Sequence, residues 1–307
     1  MSDMILETRN LTKKYKNMCA LDNVSISLKK NHIYGFIGEN GAGKSTFMKI
    51  VSGLIFPTSG DYSLMGESDP KAIERKRRNV GTIIEEPALY PKYSVWRNVE
   101  IQRMIVGNPD KSVTDKVIEM VGLTEAKDKK AKTLSMGMKQ RLGIAIAMVG
   151  NPQLLILDEP INGLDPKNIV ALREMLKKIN EENECTIFVS SHILSELYLL
   201  ASDFIFIHRG RIIETTTHEE LEEKCSQYII VRNDNIPETV TILEKHFADV
   251  NYKVTADDTI KIYGKPGMKA ELSKYLMEAG IVISELSEKE QSLEEYFMTL
   301  TGGAANV

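Results

Sequence analysis

Cysteine is scarce in this chain of 307 residues. Cys19, Cys185 and Cys225 stand far apart, with no C-x-x-C pair. A sparse, odd count reads as reduced thiols in a cytosolic protein, not as a disulfide frame. Long apolar runs are also missing. The longest candidate, Leu142 to Val149, falls far short of the ~18 apolar residues of a membrane span. Work at a membrane would need another chain to cross it. The opening MSDMILETRN has early acids and no apolar stretch, so no signal peptide is expected. There is no basic excess: 39 Lys+Arg face 43 Asp+Glu, a net charge of -4. That argues against an electrostatic nucleic-acid binder. With 42% apolar and 27% charged residues, collagen-like, low-complexity and strongly disordered chains are excluded.

What is present suggests about two domains, at ~150 residues each. Alternation over Val24–Leu28 predicts an antiparallel strand. Residues 33–38 read as a strand ending in glycine, and 46–54 as a helix with Phe47, Ile50, Val51 and Leu54 on one face. A turn at 57–60, a short basic helix at 70–78 and a β-branched strand at 80–84 follow. Residues 95–132 are mostly helical, broken at 107–109 and at Gly122, and a helix covers about 137–149. Leu154–Leu157 is a continuous apolar run, as in a parallel strand buried on both faces. Pro166 opens a helix, 186–190 is a strand, and 204–208 pairs with 211–215 around Arg209-Gly210. Strands alternating with helices give an α/β domain over 1–222. From about Ser226 the pattern changes. Strands at 228–231, 252–255, 259–263 and 281–283 and helices at 237–246, 268–279 and 292–300 predict a small C-terminal α+β domain over 223–307. Residues 256–258 would make its hairpin turn. No chemical motif marks it.

Gly38-Glu39-Asn40-Gly41-Ala42-Gly43-Lys44-Ser45 fits G-x-x-x-x-G-K-[ST], between a strand and a helix that includes Thr46. Glycines let the backbone wrap a phosphate, and the helix N-terminus adds N–H donors. Lys44 is placed to reach β- and γ-phosphates, and Ser45 to ligate Mg²⁺. The 154–157 strand delivers Asp158, a second Mg²⁺ candidate, and Glu159, which could polarise an attacking water as a general base.

Between these lies Leu134-Ser135-Met136-Gly137-Met138-Lys139-Gln140-Arg141. It resembles the signature motif, usually LSGGQ, of ABC-type ATPases, with Met136 and Met138 as departures. The resemblance covers about residues 3–220. It implies a P-loop cassette with a helical subdomain at about 87–150. It also implies that Ser135 and Gly137 close over the γ-phosphate held by an opposing subunit. Gly163-Leu164-Asp165 resembles the D-loop, which contacts that subunit. Ser190-Ser191-His192 resembles the switch histidine, and Tyr15 falls where the family stacks an aromatic on adenine. The family usually places Gln after the strand that here is 80–84. Here Glu85 stands at that position, an expected functional substitute that can bind metal but cannot donate a hydrogen bond when ionised.

The IIEEPALYP and SMGMKQR stretches and the ending Ser292–Phe297 are similar to exporter ATPases of the bacitracin-resistance and lantibiotic-immunity type. The implied function is ATP hydrolysis for a membrane exporter, with ATP and Mg²⁺ bound. The partners would be a second cassette, in a homodimer or pair, and a separate transmembrane permease. No nucleic acid is expected, and the location would be the cytoplasmic face of the membrane. The competing class is a soluble ABC ATPase acting on the ribosome or nucleic acid. Such chains usually carry two cassettes, long coiled-coil insertions or basic tracts. The basic runs 71–78 and 127–132 read as solvated faces, with docking near a membrane surface or a partner as the alternative.

Overall fold

A computed structural model describes residues 3–16, 18–225, 227–247, 250–255, 259–263, 268–290 and 292–301. The chain divides into two compact units, Met1–His218 and Glu219–Val307.

The first unit is built on a six-stranded sheet. In spatial order its strands are Arg211–Thr217, Asp203–His208, Ile33–Ile37, Thr186–Ser191, Leu154–Leu157 and Val80–Ile83. The last five run parallel, and Arg211–Thr217 is an antiparallel edge. Every residue of Ile33–Ile37, Leu154–Leu157 and Thr186–Ser191 is buried. This is why these strands read as unbroken apolar runs instead of alternating ones. Ile37 is level with Ser191, and Leu157 with both Val189 and Ile83. Gly38, Asp158, His192 and Glu85 therefore all leave the carboxyl ends of parallel strands, where open α/β sheets bind ligands.

A second, antiparallel sheet joins Met4–Tyr15 to Met18–Val24, Ser27–Lys29 and Ser59–Leu64. The Lys44–Val51 helix lies in the core between the two sheets. Phe36, Phe47 and Phe188 meet there, with ring centroids 5.1–5.8 Å apart. Such offset and edge-on contacts suit aromatic quadrupoles. The helical part comprises Val95–Ile105, Ser112–Met120 and Met136–Met148, and Pro166–Asn183 follows later. Ser94, Ser135 and Asp165 each cap the helix after them by accepting a backbone N–H, the usual work of these residue types at a helix start.

The second unit carries an antiparallel sheet in the order Asn251–Val254, Thr259–Tyr263, Gln227–Asn233, Ile283–Glu290. With helices Ile236–His246 and Met268–Glu278 between strands, this is the split β-α-β arrangement of ferredoxin-like domains. Leu243, Leu272 and Leu276 pack with Ile229, Val231, Ile260 and Ile262 in its core.

Several sequence expectations change. The segment 24–28 does not form one strand: Val24 ends one and Ser27 begins another. Thr8 takes the intervening turn by bonding Val24 O and Ile26 N through its hydroxyl. The long Met4–Tyr15 strand and the Leu194–Tyr198 helix were not legible. Ser59 and Gly60 belong to a strand rather than a turn. The last strand of the second unit starts at Ile283, not Ile281. The expected turn at 256–258 lies outside the described residues. Among the described residues, no helix is long and apolar enough to cross a membrane.

Candidate nucleotide site

The Gly38–Ser45 loop leaves the buried Ile33–Ile37 strand and enters the Lys44–Val51 helix. Gly38 and Gly43 are buried, while Glu39, Asn40 and Gly41 form an exposed tip. Gly43 has φ +112°, and a Cβ there would lie 2.6 Å from Ala20 O. Both the backbone angle and the close approach demand glycine. The turn leaves consecutive amides at the helix start, the arrangement that cradles phosphate.

Lys44 is nearly sequestered, at 5% exposure. Its ammonium donates to Gly38 O at 2.6 Å and Glu39 O at 3.2 Å. It also lies 3.1 Å from Glu159 Oε1. That last contact is an ion pair without hydrogen-bond alignment, since buried Oε1 receives no hydrogen bond. Oε2 of Glu159 sits 2.9 Å from Nδ1 of His192. An ionised carboxylate only accepts, so Nδ1 carries a proton in this contact. Lys44, Glu159 and His192 thus form a chain of three groups brought together from three strand ends.

Asp158 is buried, at 2% exposure. Its Oδ1 accepts from Ser190 Oγ at 2.7 Å, and the same hydroxyl accepts the Glu159 N–H at 3.0 Å. Ser190 therefore ties the two carboxylate residues to the neighbouring strand. Glu159 has φ +49°, an uncommon backbone for a non-glycine residue. The hydrogen bond from its N–H to Ser190 helps hold it there. Nothing in the sequence assigned Ser190 this role; only the strand pairing brings it to the site.

The oxygen donors Ser45 and Asp158 suit a hard divalent cation such as Mg²⁺, which is usually bound by one or two carboxylates plus substrate phosphates. Among the described residues, no cluster of three or more His, Cys, Asp or Glu could hold a metal by itself. Glu85 has φ +65°, and its carboxylate pairs with Lys49 at 2.6 Å. That ammonium holds the Glu85 carboxyl below the usual range. Lys49 was not marked in the sequence. Tyr15 is 42% exposed, with Lys13 Nζ 5.1 Å from its ring centroid.

Ser135, Gly137 and Asp165 form a second group. Ser135 is exposed and caps its helix through Met138 N. Gly137 lies against Asn168, and Met136 against Gly163. Asp165 caps the Pro166–Asn183 helix, accepting from Asn168 N at 2.9 Å.

A family model described as ABC transporter matches residues 21–162. The bacitracin transport ATP-binding protein BcrA of Bacillus licheniformis is 39% identical over 97% of this chain and 98% of its own. The chain belongs to the ABC transporter family, as an ATP-binding subunit. The lantibiotic transport ATP-binding protein SrtF of Streptococcus pyogenes is 42% identical over 74% of this chain and 98% of its own. Among solved structures, a dimeric ATP-binding cassette in a post-hydrolysis state with ADP and Pi is similar. Its TM-score is 0.62 at 26% identity, over 69% of this chain and 98% of that one. This ABC subunit is an α/β cassette that binds and hydrolyses ATP. As a transporter subunit it works with a transmembrane partner.

Proposed function

We propose that this ABC subunit powers export of a bacitracin- or lantibiotic-like antimicrobial peptide or a similar amphipathic compound. The observation that carries this is the match to the bacitracin transport protein along nearly the whole of both chains. It takes in the second unit, which a cassette alone would lack. SrtF is almost fully covered by 229 aligned residues, which supports a catalytic cassette over about 1–222 and an accessory domain over 223–307.

In the proposed cycle two copies face each other and enclose two ATP molecules. The Gly38–Thr46 segment of one copy cradles the phosphates, and Tyr15 stacks on adenine. Ser135 and Gly137 of the other copy close over the γ-phosphate, and Asp165 contacts the facing copy. Lys44 leaves Glu159 for the β- and γ-phosphates. Glu159, steadied by His192, then takes a proton from the attacking water as its oxygen bonds to the γ-phosphorus and the bond to the bridging oxygen breaks. Ser45 and Asp158 would hold Mg²⁺, with Glu85 as a further metal ligand. The ion supplies charge neutralisation on the phosphate oxygens. Hydrolysis reopens the dimer.

The permease would dock on the helical part. There Tyr90, Tyr93, Met104 and Ile105 are exposed, beside a hollow of about 300 Å³ lined by Leu89, Tyr90, Gln102 and Ile105. The location is then the cytoplasmic face of the cell membrane, and no nucleic acid is bound. The test is affinity purification of the tagged native protein from solubilised membranes. A stoichiometric polytopic membrane protein supports the reading. Recovery only in the soluble fraction, with ribosomes or nucleic acid, overturns it in favour of the soluble class. Charge reversal at exposed Lys92 and Arg97 should spare ATP binding and break the assembly.

A further inference from the structure

In the second residue group, Ser135–Gly137 with Gly163–Asp165, the side chains of Asn168 and Met136 join the two segments. Asn168 sits in the first turn of the Pro166–Asn183 helix. Its amide Nδ2 donates to Asp165 Oδ2 at 2.7 Å, while its backbone N–H donates to Asp165 Oδ1 at 2.9 Å. Both oxygens of Asp165 are therefore committed to Asn168, which fixes the plane of the carboxylate and not merely its position. These two bonds are also the main reason its carboxyl is held below the usual range.

The same amide lies under the signature helix. A Cβ on Gly137 would come within 2.7 Å of both Asn168 Cγ and Oδ1. Any larger residue at 137 must push the helix off the amide or drive the amide off Asp165. A second contact runs in parallel. Met136 presents its thioether to Gly163, where a Cβ would lie 2.8 Å from Cε and 3.0 Å from Sδ. Two adjacent residues after Ser135 thus rest on two residues flanking Asp165. An ordinary capping role for Asn168 explains its backbone N–H. It does not explain an amide wedged between a carboxylate and a helix that starts more than thirty positions earlier.

We propose that Asn168 is a positioning residue that locks Ser135 and Asp165 into one rigid body. When Ser135 engages the nucleotide on the facing copy, the Asp165 carboxylate moves with it to a fixed place on that copy. One closing event then sets both composite sites. This rests on the reading that Ser135 and Asp165 act across a dimer.

The test uses full-length protein and Asn168→Ala, which keeps the backbone bond to Asp165 and removes only the amide. Three quantities are measured: affinity of dilute monomer for a non-hydrolysable ATP analogue with Mg²⁺, analogue-dependent dimerisation by sedimentation, and the Hill coefficient of ATP hydrolysis. The expected result is monomer affinity within twofold of wild type. Dimerisation should weaken by about fivefold or more, the range of coupling between touching residues, and the Hill coefficient should fall towards one. A merely structural role would lower the melting temperature and leave the last two readouts alone. A second pair of variants tests the wedge. Gly137→Ala should impair dimerisation, and adding Asn168→Ala should recover part of it by making room for the methyl. Unchanged dimerisation and cooperativity in Asn168→Ala, or no recovery in the double variant, overturns the proposal. A wild-type protein that stays monomeric with the analogue and Mg²⁺ overturns the dimer reading itself, and the proposal with it.

Discussion

The ammonium of Lys44 lies 3.1 Å from Oε1 of Glu159, whose other oxygen is 2.9 Å from Nδ1 of His192. The group suited to bind phosphate and the group suited to activate water neutralise each other in this arrangement. In the proposed cycle an arriving polyphosphate would compete with Glu159 for Lys44, so that filling the site would also free the base.

Glu159→Gln tests both halves of that relationship. ATP hydrolysis should fall by about 10²–10⁴-fold, the usual worth of a positioned general base. ATP binding should persist and tighten by about threefold, because Lys44 no longer has a charged competitor. Phosphate release and a fluorescence titration read the two effects. Turnover at the wild-type rate would remove Glu159 from the catalytic role.

Ser190→Ala should destabilise the cassette although Ser190 is not assigned to touch substrate. Its hydroxyl serves the buried Asp158 carboxylate and the Glu159 N–H at once. Leaving buried polar groups unmet costs about 1–3 kcal/mol. Thermal melting should show the loss, and ATP turnover should drop with it because Glu159 loses a restraint on its φ +49° backbone. A melting curve that overlays wild type would refute this account.

Glu85→Ala should lower ATP turnover and raise the Mg²⁺ concentration needed for half-maximal rate. The carboxylate is exposed and lies 2.6 Å from Lys49, so the stability change should be small. A Mg²⁺ titration of turnover, with melting as a control, separates the effects. Unchanged Mg²⁺ dependence would exclude Glu85 from the metal's surroundings.

Glu100 carries the clearest pH signature. Its carboxylate makes two bonds to Arg103, at 2.7 and 2.8 Å, and accepts from Thr114 Oγ1 at 2.8 Å. The Arg103 guanidinium pushes it down from 4.5 to about 2. A lowered folded-state value stabilises above the unfolded value and is lost as protons bind. The helical part should therefore weaken as pH falls from 4.5 towards about 2. Glu100→Gln should flatten that window. At neutral pH it should lower stability, since the Arg103 guanidinium loses its counter-charge. Hydrogen exchange over 95–120 at several pH values checks both.

The nucleotide loop was legible because its chemistry is local. Consecutive amides, two positive-φ glycines and a lysine at a helix start perform one task within a single turn, so spacing alone marks them. The buried strand ending in Asp158-Glu159 was legible for a related reason: burial on both faces forces an unbroken apolar run. Ser190, Lys49 and Asn168 were not legible. Each is an ordinary polar residue whose partner lies on another element, and no local pattern announces it. The Met4–Tyr15 strand carries no clear local pattern for a similar reason. It pairs with three strands, so its burial follows its neighbours instead of a simple alternation.

That this chain handles a nucleoside triphosphate follows from motifs whose residues act where they stand in the chain. How those residues meet is a property of the fold. Strand order sets Ile33–Ile37 beside Thr186–Ser191 and Leu154–Leu157 beyond it. That order alone brings Lys44, Glu159 and His192 within reach of one another. It also decided that Ser135 and Asp165 share a different cluster, bound through Asn168. Contacts of this kind depend on distances between elements, which a linear pattern does not encode.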